Sequence, residues 1–268
     1  MGKPARYLLS TIGQALGYEV SRRVPLDRVR SLISLLQPMD TGLPLIRVGA
    51  AGDGGYLVPD DLQGISACLS PGVAAVADFE LDLQRRGIPS LLADHSVQAP
   101  PPGCERMPFE RRFVGLHDQE PFTTLDAWVQ RWPQAVQGDL LLQMDIEGAE
   151  WAVLANISPR LLQRCRIVVI ELHWMEAMGQ PFAMRVMHDV LDRLHRSFVC
   201  VHVHPNNNEG MARIGGIPVP RAIEVTLLRR DRVRSLAPRS DFPHPLDRDN
   251  VPGKPSVVLP PEWFRPGR

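Results

Sequence analysis

Leu140-Leu141-Leu142-Gln143-Met144-Asp145-Ile146-Glu147-Gly148-Ala149-Glu150-Trp151 decides the fold. An apolar run of strand length stops at an acidic turn containing one glycine, and a helical pattern (Trp151, Val153, Leu154, Ile157) starts at once beyond it. This is the pattern of a buried parallel strand that carries carboxylates to the rim of an open α/β sheet. Such sheets bind ligands just past the carboxyl ends of their strands, so Asp145 and Glu147 are aimed where a cofactor or substrate would lie.

Working outward, the alternation of strand and helix is regular. Upstream, Ile65–Leu69 reads as a strand ending at Ser70-Pro71-Gly72-Val73, followed by a helix through Phe79, Leu81 and Leu83. Leu91–Asp94 reads as a second strand, Phe113–Leu116 as a third, and Leu125–Trp132 as a helix. Downstream, Ile167–His173 is the fifth strand, and an amphipathic helix runs from Phe182 to His195. Phe198–His204 and Ala222–Leu228 have no helical pattern between them, so they are expected to pair antiparallel around a long loop at 205–221. Together these elements describe a doubly wound sheet with one reversed strand.

The flanks differ in composition. Residues 1–43 hold two apolar stripes, Leu8, Leu9, Ile12, Leu16 and Leu26, Val29, Leu32, Ile33, Leu36, expected as helices packed on the core. The core unit is expected over 44–230, opening with a hairpin at 45–58 around the glycine-rich tip Gly49–Gly55. Consecutive glycines suit a flap that approaches a ligand closely. Residues 231–268 are basic and proline-rich, expected as a tail draped on the surface or partly disordered.

Charge excludes some partners. The formal net charge is zero, but residues 51–228 carry 14 basic and 22 acidic side chains, an acidic core that does not attract nucleic acid. Cys68, Cys104, Cys165 and Cys200 are widely spaced, three of them in apolar runs, which points to a reducing, cytoplasmic compartment. The start of the chain is too polar for a signal segment and too short to span a bilayer.

The cofactor follows from the first strand's turn. Asp94 lies 22 positions after Gly72, near the ~20 expected of an acid that accepts hydrogen bonds from ribose hydroxyls. Ala74 and Ala75 stand where a dinucleotide turn would have glycines, so a pyrophosphate cradle is poorly formed. A cofactor with ribose and adenine but no pyrophosphate fits better, and S-adenosylmethionine is the common one. Ser70, Pro71, Gly72, Asp94, His95 and Asp145 form the expected cofactor set.

Asp145-Ile146-Glu147-Gly148-Ala149-Glu150, with Asp53-Gly54-Gly55-Tyr56 and Ser70-Pro71-Gly72-Val73 upstream, resembles the FkbM family of S-adenosylmethionine-dependent methyltransferases. The likeness spans roughly residues 45–230. It implies a class I methyltransferase fold, Rossmann-like and seven-stranded with one antiparallel strand, and methylation of a hydroxyl on a sugar, polyketide, lipid or other small metabolite. It places Gly72, Asp94 and Asp145 on the cofactor side and the Phe198–His204 strand at the sheet edge. The family commonly has a further glycine where this chain has Ala74 or Ala75.

Methyl transfer to a hydroxyl requires alignment of donor and acceptor and removal of a proton. Asp145, Glu147 and His173 are the candidate catalytic residues, with His173 as general base. Glu150, one step into the helix, is expected to be structural. The expected site needs no metal; an alternative places a divalent ion on Asp145, Glu171 and His173. His202 and His204 share a strand face, expected to be solvated or part of an acceptor pocket. The rival functions are a degenerate methyltransferase-like binding domain, suggested by Ala74 and Ala75, and an NAD(P)-dependent oxidoreductase, disfavoured by the missing glycine fingerprint.

Overall fold

The structure is a computed structural model that describes residues 23–133 and 137–265. The stripe expected as a helix over 5–18 lies outside the described residues. Helix α1 (Leu26–Ser34) follows Pro25 and buries Val29, Leu32 and Ile33. Strands β1 (Leu45–Gly49) and β2 (Gly55–Pro59) form the expected hairpin, in a register that sets Gly49 against Gly55. Arg47 closes its tip by donating to the carbonyls of Ala50 (2.6 Å) and Gly52 (2.8 Å).

The main sheet begins at β3 (Ile65–Pro71), which leads through α2 (Asp78–Arg85) to β4 (Ser90–Ala93) and then to the short β5 (Phe109–Glu110). After α3 (Leu125–Gln130) the chain crosses to the other side of β3 and lays down β6 (Asp139–Met144). Helices α4 (Glu150–Asn156) and α5 (Pro159–Arg164) precede β7 (Cys165–Leu172), and α6 (Pro181–Ser197) precedes β8 (Phe198–Pro205). Strand β9 (Ile223–Arg229) then inserts between β7 and β8, antiparallel to both. The spatial order is β5-β4-β3-β6-β7-β9-β8, with every other pairing parallel. The fold is the expected Rossmann-like sheet, and its order reverses between β3 and β6, the place where such sheets open a crevice for ligands.

Strand β6 shows why the stretch specifies this position. Leu140, Leu142 and Met144 face a core with α3, α4 and α6, while Leu141 faces a second core with the hairpin and α2. Both faces are covered, so the strand is apolar throughout instead of alternating. Each fully buried leucine contributes ~2 kcal/mol relative to exposure. The two-residue period leaves Gln143, and then Asp145, on the hairpin side.

Two expectations need correction. The third strand of the sheet is Phe109–Glu110, not Phe113–Leu116; Phe113–Val114 instead pairs with Phe122–Thr123 in a separate two-stranded sheet. The true edge strand is two residues long and follows Pro108, whose carbonyl accepts from Leu92 N (2.8 Å), so it carries no strand pattern. The loop expected over 205–221 contains a hairpin, Met211–Ile214 with Ile217–Pro220.

The C-terminal segment, expected as a surface tail, is built into the molecule. Ala237–Pro238 pairs with Met39–Asp40, and Leu259, Trp263 and Phe264 enter the larger core, with Trp263 Nε1 donating to Pro218 O (3.1 Å). Among the described residues no helix is long and apolar enough to cross a membrane.

Candidate active site

The carboxyl ends of β3 and β6 meet without a gap. Gly72 adopts φ +86°, and a Cβ on it would overlap the carbonyl oxygen of Asp145, so only glycine lets these two turns touch. Beside them lies a cavity of about 290 Å³, near the lower end of the ~300–1,000 Å³ range of small-molecule sites. The turn from Gly72 to Val76 forms one wall, Asp53 and Gly54 of the hairpin tip another, and Tyr56, Gln143 and Asp145 line the interior.

Of the expected cofactor residues, Gly72 and Asp145 line this cavity. Ser70 is buried behind it, donating to Glu80 Oε1 (2.5 Å) and lying 2.9 Å from Gln143 Oε1. The carbonyl of Pro71 accepts from Asp145 N (3.5 Å). Asp94 braces the wall: its Oδ2 accepts from Ala74 N (2.8 Å), and its Oδ1 accepts from Ser96 N and Oγ (2.7 Å each). A carboxylate has about four acceptor sites, so these three bonds leave one for a ligand hydroxyl. His95 stacks on Phe113, ring centroids 4.8 Å apart.

Asp145 Oδ1 is shielded from solvent and has no hydrogen-bond partner. An unsatisfied buried carboxylate oxygen costs ~1–3 kcal/mol or more, which a bound donor returns. Burial pushes the Asp145 carboxyl up to about 7; His173 opposes the shift, and Glu147, Glu150 and Asp53 add to it.

His173, just past the end of β7, is the hub of this acidic rim. Its Nδ1 lies 3.2 Å from Glu150 Oε1, and its Nε2 lies 3.6 Å from Glu147 Oε2, 3.7 Å from Glu171 Oε1 and 3.9 Å from Asp145 Oδ1. Burial opposes a charge on the imidazole, but the Glu150 hydrogen bond and the charges of Glu150, Glu171 and Asp145 outweigh it and raise His173 to about 9. Glu150 is fully buried, and its Oε1 also accepts from Ile146 N (2.9 Å) and Gly148 N (3.1 Å). It shapes the turn from inside and orients the imidazole.

Asp145, Glu147 and His173 present ligand atoms within 4.8 Å of one another, a set able to hold a divalent ion. In the alternative set, Glu171 is the member already engaged, accepting from Asn206 Nδ2 (2.5 Å). Burial, then Asp145 and Glu224, push the Glu171 carboxyl well up.

One comparison with known proteins bears on this region. Residues 117–198 match the family model described as the methyltransferase FkbM domain. Over this stretch the chain is similar to FkbM methyltransferases. The match runs from ahead of α3 to the first residue of β8 and contains Asp145, Glu147, Glu150, Glu171 and His173, while Gly72 and Asp94 lie outside it. No curated protein matches the chain. The acidic rim thus lies within the stretch that is similar to a methyltransferase domain.

Beyond that rim lie residues the sequence reading passed over. Glu224 of β9 pairs in register with Glu171 and His204, and its Oε1 accepts from Asn250 Nδ2 (2.7 Å). Asp247 Oδ1 lies 2.8 Å from His202 Nε2, and its Oδ2 lies 3.7 Å from His204 Nδ1. The two histidines sit on the expected edge strand but are buried beneath the C-terminal segment, not solvated. The polar cluster His244–Asn250 was the available signal; it lacks the apolar period that marks a docked segment.

Proposed function

We propose that the protein transfers a methyl group from S-adenosylmethionine to a hydroxyl of a small-molecule acceptor. The observation that carries this reading is the partnerless, buried Asp145 Oδ1 on the wall of a cavity at the sheet's reversal point. A buried carboxylate oxygen of this kind suits the amino group of the donor's methionine portion. The one open acceptor site of Asp94 suits a ribose hydroxyl, and the turn from Gly72 offers backbone instead of bulk. Bound there, S-adenosylmethionine would supply an electrophilic methyl on a sulfonium.

The rim residues then handle charge and protons. Four carboxylates around one imidazole leave the rim negative even with His173 protonated, which favours a cationic donor. With His173 raised to about 9 and Asp145 to about 7, a neutral imidazole is not the resting base near pH 7. Asp145, Glu147 and His173 act as a coupled unit that takes the proton from the acceptor hydroxyl, with Glu147 Oε2 and His173 Nε2 as its neighbouring atoms. Four buried free thiols support a reducing, cytoplasmic setting.

Calorimetry tests the reading. S-adenosylmethionine and S-adenosylhomocysteine bind in the micromolar range, NAD and NADP do not, and Asp145→Asn weakens the sulfur ligands by about 10–100-fold, the equivalent of ~1.5–3 kcal/mol for a bond to a charged group. No binding of either sulfur ligand to folded protein overturns the reading and leaves a binding domain without turnover.

A further inference from the structure

Three non-glycine residues among those described have a left-handed backbone: Ala74 (φ 50°), Glu147 (φ 56°) and Trp174 (φ 56°). Each pays steric strain, and such residues persist where the surroundings hold them for a purpose. Ala74 lines the cavity and Glu147 belongs to the acidic turn. Trp174, directly after His173, has no role so far.

Its backbone is held on every side. Trp151 Nε1 donates to His173 O (2.8 Å), Ala177 N donates to Trp174 O (2.9 Å), and Met175 N donates to Arg221 O (3.0 Å). The indole that these bonds aim outward is 60% exposed, whereas Trp128, Trp151 and Trp263 are buried. Its inner face lies on the acidic turn. A Cβ built on Gly148 would meet Cη2, Cζ2 and Cε2 of Trp174 at 2.6, 2.6 and 2.8 Å, near-equal distances that place the six-membered ring flat over that glycine. Gly148 is thus small so that the ring can lie on it. The outer face is open, and the glycine beneath the ring directly follows Glu147, whose side chain is 88% exposed and lies 3.6 Å from His173 Nε2.

We infer that the exposed face of Trp174 is the platform on which the methyl acceptor lies, and that the acceptor is a sugar ring. This rests on the methyl-transfer reading for its product, but the platform stands on geometry of its own. A pyranose presents an axial C–H face to an aromatic ring and hydroxyls around its edge, and the edge here meets carboxylate oxygens that accept hydrogen bonds. Phosphorylated or carboxylated acceptors meet repulsion from the exposed carboxylate of Glu147. A planar aromatic acceptor such as a catechol would stack equally well but offers fewer hydroxyls to the surrounding carboxylates than a pyranose does. With the ring on Trp174, an edge hydroxyl reaches the Glu147–His173 pair, where its proton is taken.

Saturation-transfer NMR with methyl glucopyranoside and N-acetylglucosamine, with catechol as the planar comparison, tests the platform, run with and without S-adenosylhomocysteine. Transfer to the axial protons of one sugar face is expected in the wild type. It is expected to weaken about tenfold in Trp174→Ala and to be retained in Trp174→Phe, with circular dichroism matching across all three. Calorimetry on the same samples reads S-adenosylhomocysteine affinity, which Trp174→Ala leaves within twofold. Equal sugar transfer in the wild type and Trp174→Ala, or none in the wild type, overturns the platform; stronger transfer to catechol overturns the sugar assignment. Failure of S-adenosylhomocysteine to bind while sugar transfer follows Trp174 sinks the methyl-transfer reading and leaves the platform in place.

Discussion

Asp139 opens strand β6 and Asp145 stands one residue beyond its end, and their surroundings are opposite. Asp139 accepts from Arg166 Nε (2.8 Å) and from Arg229 Nη1 (2.7 Å) and Nη2 (3.1 Å). Arg166 also donates to the carbonyls of Asp61 (2.9 Å) and Gln63 (2.7 Å), and Arg232 grips both oxygens of Asp61 at 2.7 Å. Burial there works against ionisation, but Arg229 and Arg166 prevail and hold Asp139 below its ordinary value. At the other end, burial has little cationic opposition, and Asp145 is pushed up to about 7. One end of the sheet is satisfied and rigid; the other is left in electrostatic debt that a ligand can settle. On the proposed reading, stability and function are separated along a single strand.

Substitution at the two aspartates should break the comparison most visibly. Asp139→Asn strips the partner from a buried arginine and is expected to cost about 3 kcal/mol, a fall in Tm of roughly 6–12 °C for a chain of this size. Asp145→Asn removes a carboxyl whose charge is already penalised, so Tm should hold or rise at neutral pH while ligand affinity falls. Differential scanning calorimetry on both variants checks this, and equal losses would erase the distinction.

Proton linkage sharpens it. Folded Asp145 keeps its proton up to about 7 while the unfolded side chain releases it near 3.8, so this group makes stability fall as pH rises between those values. His173 acts in the same direction at higher pH: its contribution is full below 6.5 and is lost as pH rises through about 9. Asp139 acts oppositely, its contribution lost as pH falls below 3.8 through its depressed folded value. Urea unfolding at about pH 4.5, 7 and 9.5 should show declining stability, and Asp145→Asn should flatten the lower half of that decline. A slope unchanged in the variant would refute the assignment. The smallest effect belongs to Arg232→Ala, which removes a partly exposed pair with Asp61 and should cost about 0.5 kcal/mol by the same titrations.

How much of this was legible in the sequence follows the same division. β6 and β7 announce themselves because strands buried on both faces must be apolar throughout, and Asp145, Glu147 and His173 are legible because they stand where those runs end. β5 was missed because two residues after a proline carry no period, and the neighbouring Phe113 run looked more like a strand while being 40% exposed. The C-terminal segment was missed because Asp247 and Asn250 dock by side-chain hydrogen bonds to His202 and Glu224. Trp174 was invisible for a third reason. A tryptophan after a buried strand reads as core, and nothing in its neighbours signals a left-handed backbone.

The contact at Gly72 bears on how change at this position would be read. Its missing side chain makes room for the main chain of Asp145 before it makes room for any cofactor. A glycine retained here by descendants would record the fit between two turns of one sheet, and it would survive in a lineage that had given up methyl transfer. Drift at Asp145, whose buried Oδ1 has no partner within the chain, would be the truer marker of a lost ligand.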